Sequence, residues 1–175
     1  MGSNASQNTD ARRVLDALRR VVQALRESSR VAERRFGLSG AQLFVLQKLS
    51  ESSAISVNDL ARRTHTHQSS VSAVVTRLVE RGLVRRLISD RDSRMVELTL
   101  THAGTRLARR SPDIAQERLA QAIQSLPPAR LKALASALTD VAKAVGDATE
   151  APSMFFEDRR QRKRRKPGVT RGPGL

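Results

Sequence analysis

The chain has 175 residues, with 32 Lys and Arg against 17 Asp and Glu, a formal charge of +15; that imbalance points to a polyanionic partner, and the length to one domain with or without tails. It contains no Cys, Trp or Tyr, and its aromatic content of 2% is all Phe. These absences exclude a disulfide framework, a thiolate zinc site, a cysteine nucleophile and a thiol redox sensor, and they disfavour single-strand binding on exposed aromatic rings.

Residues 1–10 are small and polar and read as a disordered N-terminus, neither a signal peptide nor a membrane anchor. No apolar run approaches the roughly 20 residues of a spanning helix, so the protein reads as soluble and intracellular, with no membrane partner. Over residues 11–36, Val14, Leu18, Val21, Val22, Leu25 and Val31 mark one face of a long amphipathic helix that Gly37 ends. Ser39 caps a second helix through Leu49, with Leu43, Val45, Leu46 and Leu49 inward. Ser56 caps a short third helix over residues 57–63, with Val57, Leu60 and Ala61 inward. After Thr64-His65-Thr66 a fourth helix runs to about Arg81, carrying Val71, Val74, Val75, Leu78 and Val79, and Gly82 closes it.

Here the period changes from 3.6 to 2. Leu83-Val84-Arg85-Arg86-Leu87-Ile88 reads as a strand, residues 89–94 as a polar turn, and Met95-Val96-Glu97-Leu98-Thr99-Leu100 as the returning strand. Thr101 caps a fifth helix that runs with interruptions toward Leu126, with Pro112 marking a break. Pro127 and Pro128 start the last helix, where Leu131, Leu134, Leu138, Val141 and Val145 form a heptad-like seam. That seam fits a dimer interface or the core of a monomeric bundle. From Glu157 onward there are 8 basic and 2 acidic residues, a net +6, leaving +9 on the body. The run Arg159-Arg160-Gln161-Arg162-Lys163-Arg164-Arg165-Lys166 is followed by helix breakers, and residues 149–175 read as a basic disordered tail. Its composition suits a solubilising tail, a non-specific DNA-binding arm or a targeting signal equally.

A helix, a tight turn, a second helix and a hairpin, preceded by a bracing helix, describe a winged helix-turn-helix domain over residues 38–100 in a mainly α protein with a β-hairpin wing. The helix starting near His67 is the recognition helix. Thr66, His67, Gln68, Ser69, Ser70, Ser72, Thr76 and Arg77 are its candidate DNA contacts, since these side chains suit base edges and phosphates and the helix start favours anions. Three histidines, at 65, 67 and 102, form no metal-ligand pattern, so no metal is expected; Ser69, Ser70 and Ser72 lack the elbow and base of a nucleophile, and no phosphate-binding glycine loop is present. No cofactor and no enzyme activity are expected.

Over residues 38–104 the sequence resembles the MarR family (multiple antibiotic resistance regulators) of dimeric winged-helix transcription factors. The carriers are Leu38-Ser39-Gly40-Ala41-Gln42, Ser69-Ser70-Val71-Ser72, Arg77-Leu78-Val79-Glu80-Arg81-Gly82-Leu83-Val84, and Asp90-Arg91-Asp92-Ser93-Arg94 followed by Val96-Glu97-Leu98-Thr99-Leu100-Thr101 and Gly104. The resemblance implies an Asp-x-Arg wing motif at Asp92 and Arg94, the carboxylate orienting the arginine that enters the minor groove, with Arg91 a phosphate contact or a second wing-tip arginine. Many relatives carry Asp where this chain has Ser89. It further implies an intertwined dimer built from the helix over residues 11–37 and the helices over 101–148, with Val14, Leu18 and Leu25 packing against Leu131, Leu134, Leu138 and Val141. The partners it implies are double-stranded DNA, a second copy, and an effector, often a small aromatic or phenolic anion, bound between the dimerisation helices and the winged domain. Without cysteine, the thiol switch of some family members is impossible here. The resulting expectation is a cytoplasmic, nucleoid-associated, ligand-responsive repressor of bacterial or archaeal type that binds a pseudo-palindromic operator as a homodimer. The alternatives are a non-specific nucleoid-type DNA-binding protein and a winged-helix protein-interaction module.

Overall fold

The computed structural model describes residues 2–52, 54–89, 95–111, 114–146 and 152–155, with side chains from residue 6 onward. Helix α1 spans Gly2–Phe36, about 50 Å of helix at 1.5 Å per residue. The sequence places its start at residue 11 and disorder before it, whereas residues 2–10 continue the same helix. No proline interrupts them, and adding residues to a nucleated helix costs far less than starting one. Before Leu25 no described side chain of α1 is buried; Leu25, Ser29 and Ala32 are, and Gly37, at φ +64°, ends the helix.

Helix α2, Gly40–Ser50, starts with a capping box: the Gln42 N–H donates to Ser39 Oγ at 3.2 Å and the Ser39 N–H to Gln42 Oε1 at 3.0 Å. Ala41, Gln42, Leu43, Phe44, Val45, Leu46 and Leu49 are all buried, so this helix is wrapped on nearly every side and forms the centre of the core. Ser56 caps α3, Val57–Arg63, through the Asp59 N–H at 3.1 Å. The same hydroxyl donates to the Asp59 carboxylate, which, with Arg62 beside it, holds that carboxyl below its ordinary value. Helix α4, Gln68–Glu80, buries Ser70, Val71, Val74, Val75 and Leu78.

The sheet has three strands rather than a two-stranded hairpin. β1, Ile55–Ser56, pairs antiparallel with β3, Val96–Leu100, and β3 pairs antiparallel with β2, Val84–Ile88, in the order β1-β3-β2. Two residues carry no readable periodicity, so β1 is set by the free edge of β3. At the wing base Ser89, buried, receives its place from two contacts: its N–H donates to the Met95 carbonyl at 2.8 Å and its hydroxyl to Glu97 Oε1 at 2.7 Å.

The region expected as one interrupted helix is two, α5, His102–Arg110, and α6, Ala115–Gln124, and the expected breaker Pro112 lies outside the described residues. Helix α6 docks on the winged domain through Lys48, whose ammonium lies 2.8 Å from Glu117 and 3.0 Å from Glu51, and on α1 through the Ala115 N–H, which donates to Ser28 Oγ at 3.1 Å. Helix α7, Pro128–Val145, buries none of its residues. Residues 152–155 then return to the domain: Met154 is 4% exposed and belongs to the main core. The expectation of disorder from residue 149 fails at this point, because Met154 is an apolar side chain with an apolar site to fill. The basic run from Arg159 lies outside the described residues.

Candidate nucleic-acid interface

The interface is built on the turn between α3 and α4. Leu60 and Ala61 anchor α3 in the core, and Val71, Val74, Val75 and Leu78 anchor α4. The turn is closed by Thr64, buried, whose hydroxyl donates to the Leu60 carbonyl at 2.9 Å, and by the Thr66 N–H donating to the Ala61 carbonyl at 3.0 Å. His65 takes φ 49°, the left-handed region, and its ring reaches Gln124 of α6 at 2.6 Å. With its apolar stripe fixed inward, α4 must turn its other side to solvent.

His67, Gln68 and Ser69 are exposed at the start of α4, and Ser72 and Thr76 are half-buried one and two turns on. No side-chain cap occupies the helix start at His67, so the first N–H groups are open to an anion such as a phosphate. Thr66 is half-buried, its hydroxyl spent on the Thr64 carbonyl at 2.9 Å. Thr76 donates to the Ser72 carbonyl at 2.9 Å and accepts from Arg86 Nη2 at 2.9 Å, so its hydroxyl positions Arg86 rather than presenting a free donor.

Two expected contacts stand elsewhere. Ser70 is buried and its hydroxyl donates to the Pro152 carbonyl at 2.9 Å. Arg77 is half-buried and lines a cleft with Glu33, Ser39, Gln42 and Glu80, on the side of α4 that faces α1 and α2. At 100° per residue both lie off the arc of Ser69, Ser72 and Thr76. Asp92, Arg91 and Arg94 lie outside the described residues. Two features escaped the sequence reading. Ala73 is exposed on the outward arc, four residues after Ser69, a spacing that flags it despite its being apolar. Arg85 and Arg86, both exposed, fall on opposite faces of β2, so one of them had to face α4.

Of the residues expected between subunits, Val14 (55% exposed), Leu18, Leu134, Leu138 and Val141 are exposed on α1 and α7, as are Leu15, Val21 and Val22. Leu25 is buried by its own chain, and Leu131 is half-buried over a cleft of about 410 Å³. That cleft lies between the helix-turn-helix, which supplies Phe44, Thr64, His65 and Thr66, and the segments beyond it, which supply Leu119, Ile123, Leu131 and Phe155. Among the described residues no cluster of His, Asp and Glu could hold a metal ion, and no helix is long and apolar enough to cross a membrane.

Known proteins share this arrangement. The sequence model of the MarR family matches residues 38–96. The HTH-type transcriptional repressor MdtR of Bacillus subtilis (strain 168) is 34% identical over 68 residues, 39% of this chain and 44% of that protein, so the match spans less than half of the relative's length. The fold is similar to that of the transcriptional regulator BldR from Sulfolobus solfataricus, at TM-score 0.50 and 20% identity over 83% of this chain and 100% of that one. It is equally similar to the reduced form of MarR from E. coli, at TM-score 0.51 and 22% identity over 72% and 93% of the two chains. The S. aureus MepR–DNA complex gives TM-score 0.52 and 19% identity over 75% and 98%. Over residues 38–96 the chain matches the MarR-family model, and its fold is that of the winged helix-turn-helix proteins these matches share.

Proposed function

We propose that the protein is a transcriptional repressor that binds duplex DNA sequence-specifically as a homodimer. The observation that carries this reading is the start of α4, where His67, Gln68 and Ser69 stand exposed beside an uncapped helix end while the opposite face is locked in the core. Laid in the major groove, Gln68 and Ser69 reach base edges, Gln offering the bidentate pattern that adenine accepts, and the helix N–H groups meet a phosphate. Arg86, held by Thr76, extends the positive surface toward the wing. Arg91 and Arg94, with Asp92 orienting the latter, then supply the wing's phosphate and minor-groove contacts.

The homodimer is supported by the apolar seams of α1 and α7, which the described residues leave exposed. A two-fold dimer reads a pseudo-palindrome with half-sites about 10 bp apart, one helical turn. The cleft lined by Phe44, His65, Ile123 and Leu131 suits an aromatic effector. None of its lining residues is Lys or Arg, so it favours the ring of such a ligand more than its charge. A ligand there touches both the helix-turn-helix and α6–α7, and releases DNA if it binds better to a spacing of the two recognition helices that mismatches the operator.

Mapping protected DNA in the region upstream of the protein's own coding sequence tests the reading. A protected pseudo-palindrome that weakens on Gln68→Ala and on Arg94→Ala is the expected result. Protection spread evenly over any duplex would favour a non-specific DNA-binding protein instead.

A further inference from the structure

A second cleft, of about 330 Å³, opens between the last turn of α1 and α5, lined by Arg35, Phe36, Ala103, Arg106, Leu107 and Arg110. It shares no lining residue with the cleft at the helix-turn-helix. Its floor is apolar, since Phe36 and Leu107 are half-buried and pack against the main core. Its rim is three exposed arginines, one from α1 and two from α5, and no Asp or Glu lines it.

The fold alone does not call for this arrangement. Arg106 and Arg110 stand one turn apart on the same face of α5, a like-charge pair that weakens a helix, and Arg35 adds a third positive charge. Arginine near a helix C-terminus answers the negative end of the macrodipole. That accounts for Arg35 and Arg110, each in the last turn of its helix, but not for Arg106 in the middle of α5. Nearby arginines of α1 are neutralised within the helix: Arg30 and Arg34 both reach Glu27, at 3.8 and 3.1 Å. Among the described residues, Arg35, Arg106 and Arg110 have no ion pair and no side-chain hydrogen bond.

Three guanidiniums around an apolar floor select the chemistry of a ligand. A monocarboxylate neutralises one of them. A phosphate monoester brings about −1.5 to −2 at pH 7 and three acceptor oxygens, which forked guanidinium donors engage in pairs. Phe36 and Leu107 are left to cover an apolar group beside the phosphate, in a space near the lower limit of ligand pockets, about 300 Å³.

We propose that this cleft binds a phosphate monoester carrying a small apolar body, with Arg35, Arg106 and Arg110 on the phosphate and Phe36 and Leu107 on the body. The site lies at the end of α4 remote from its exposed start: Arg81, which follows α4, donates to the carbonyl of Gly37, next to Phe36, at 2.6 Å. The length of α4, about 20 Å at 1.5 Å per residue, separates the two, so the ligand leaves the start of α4 open.

Isothermal titration of the full chain with phenyl phosphate at fixed ionic strength and pH 7.5 tests the site. One saturable site per chain is expected, weakened about tenfold or more by Arg106→Gln and by Arg110→Gln, each the loss of a charged hydrogen-bond donor. Arg109→Gln removes the same charge from the same helix outside the cleft and should leave the affinity unchanged. All three side chains are exposed, so the variants should keep the wild-type unfolding midpoint, which separates lost binding from lost fold. Benzoate and inorganic phosphate should each bind more weakly than phenyl phosphate. No saturable binding, equal weakening by Arg109→Gln, or binding that Arg106→Gln and Arg110→Gln both leave unchanged would overturn the site. Benzoate binding as tightly would overturn the phosphate, and inorganic phosphate binding as tightly would overturn the apolar body. Displacement of phenyl phosphate by a short random duplex would assign the arginines to the DNA backbone and overturn the proposal as well.

Discussion

Gly104 shows how tightly one atom can join two parts of this domain. A Cβ built there would lie 2.1 Å from the Leu83 carbonyl oxygen, the same oxygen that accepts from the Thr101 N–H at 3.0 Å, while Thr101 Oγ1 donates to Gly82 at 2.8 Å. The first strand of the wing and the start of α5 are thus stapled at a single carbonyl, and the obstacle is backbone that cannot swing aside. Gly104→Ala should cost about 2–3 kcal/mol, at the upper end of overpacking changes, read as a lower urea midpoint with an unchanged m-value. Side-chain type alone could not have decided which polar residues of α4 face outward. Gln68 and Ser69 do, but Ser70, four and eight residues before the buried Val74 and Leu78, falls at the edge of the inward stripe and is covered by a segment 82 residues later in the chain. Ala73 was legible from its spacing, and was missed because an apolar side chain does not look like a contact.

Among the elements, capping and periodicity were enough for α2, α3 and α4, whose starts at Ser39, Ser56 and His67 agree with the structure. The two-residue β1 and the division between α5 and α6 were not legible in the same way, because both depend on what the neighbouring element offers. Helix α6 is held by Lys48, whose side chain is 13% exposed and lies over the Phe44 ring. Burial works against the charged ammonium, but the hydrogen bonds and charges of Glu117 and Glu51 outweigh it, and the lysine is raised above its ordinary value of 10.5. A raised lysine stabilises the fold fully below its unfolded value and loses that contribution as pH rises through the folded one. Glu117→Gln should therefore cost about 1–2 kcal/mol at neutral pH, between the worth of an exposed and a buried pair. The gap from wild type should narrow above pH 10.5, as followed by urea unfolding at pH 7 and at pH 11.

At the scale of the whole molecule, α1 and α7 carry apolar seams that the described residues leave exposed, with Leu138 41% and Val141 51% exposed. The sequence alone left the seam of α7 open between a bundle core and a subunit interface, since the two have the same period. A glutamate substitution separates them: a core residue changed to Glu unfolds the chain, whereas an interface residue changed to Glu separates subunits. Leu138→Glu should give monomers in sedimentation equilibrium with the far-ultraviolet dichroism of the folded protein retained. If the exposed start of α4 reads sequence, it shows in the equilibrium preference for the protected site over random duplex of equal length, measured at one fixed salt concentration. A preference of roughly 10³ or more is expected, reduced about tenfold or further by Gln68→Ala, the loss of one bidentate base contact. A preference near unity, or one that Gln68→Ala leaves untouched, would contradict it.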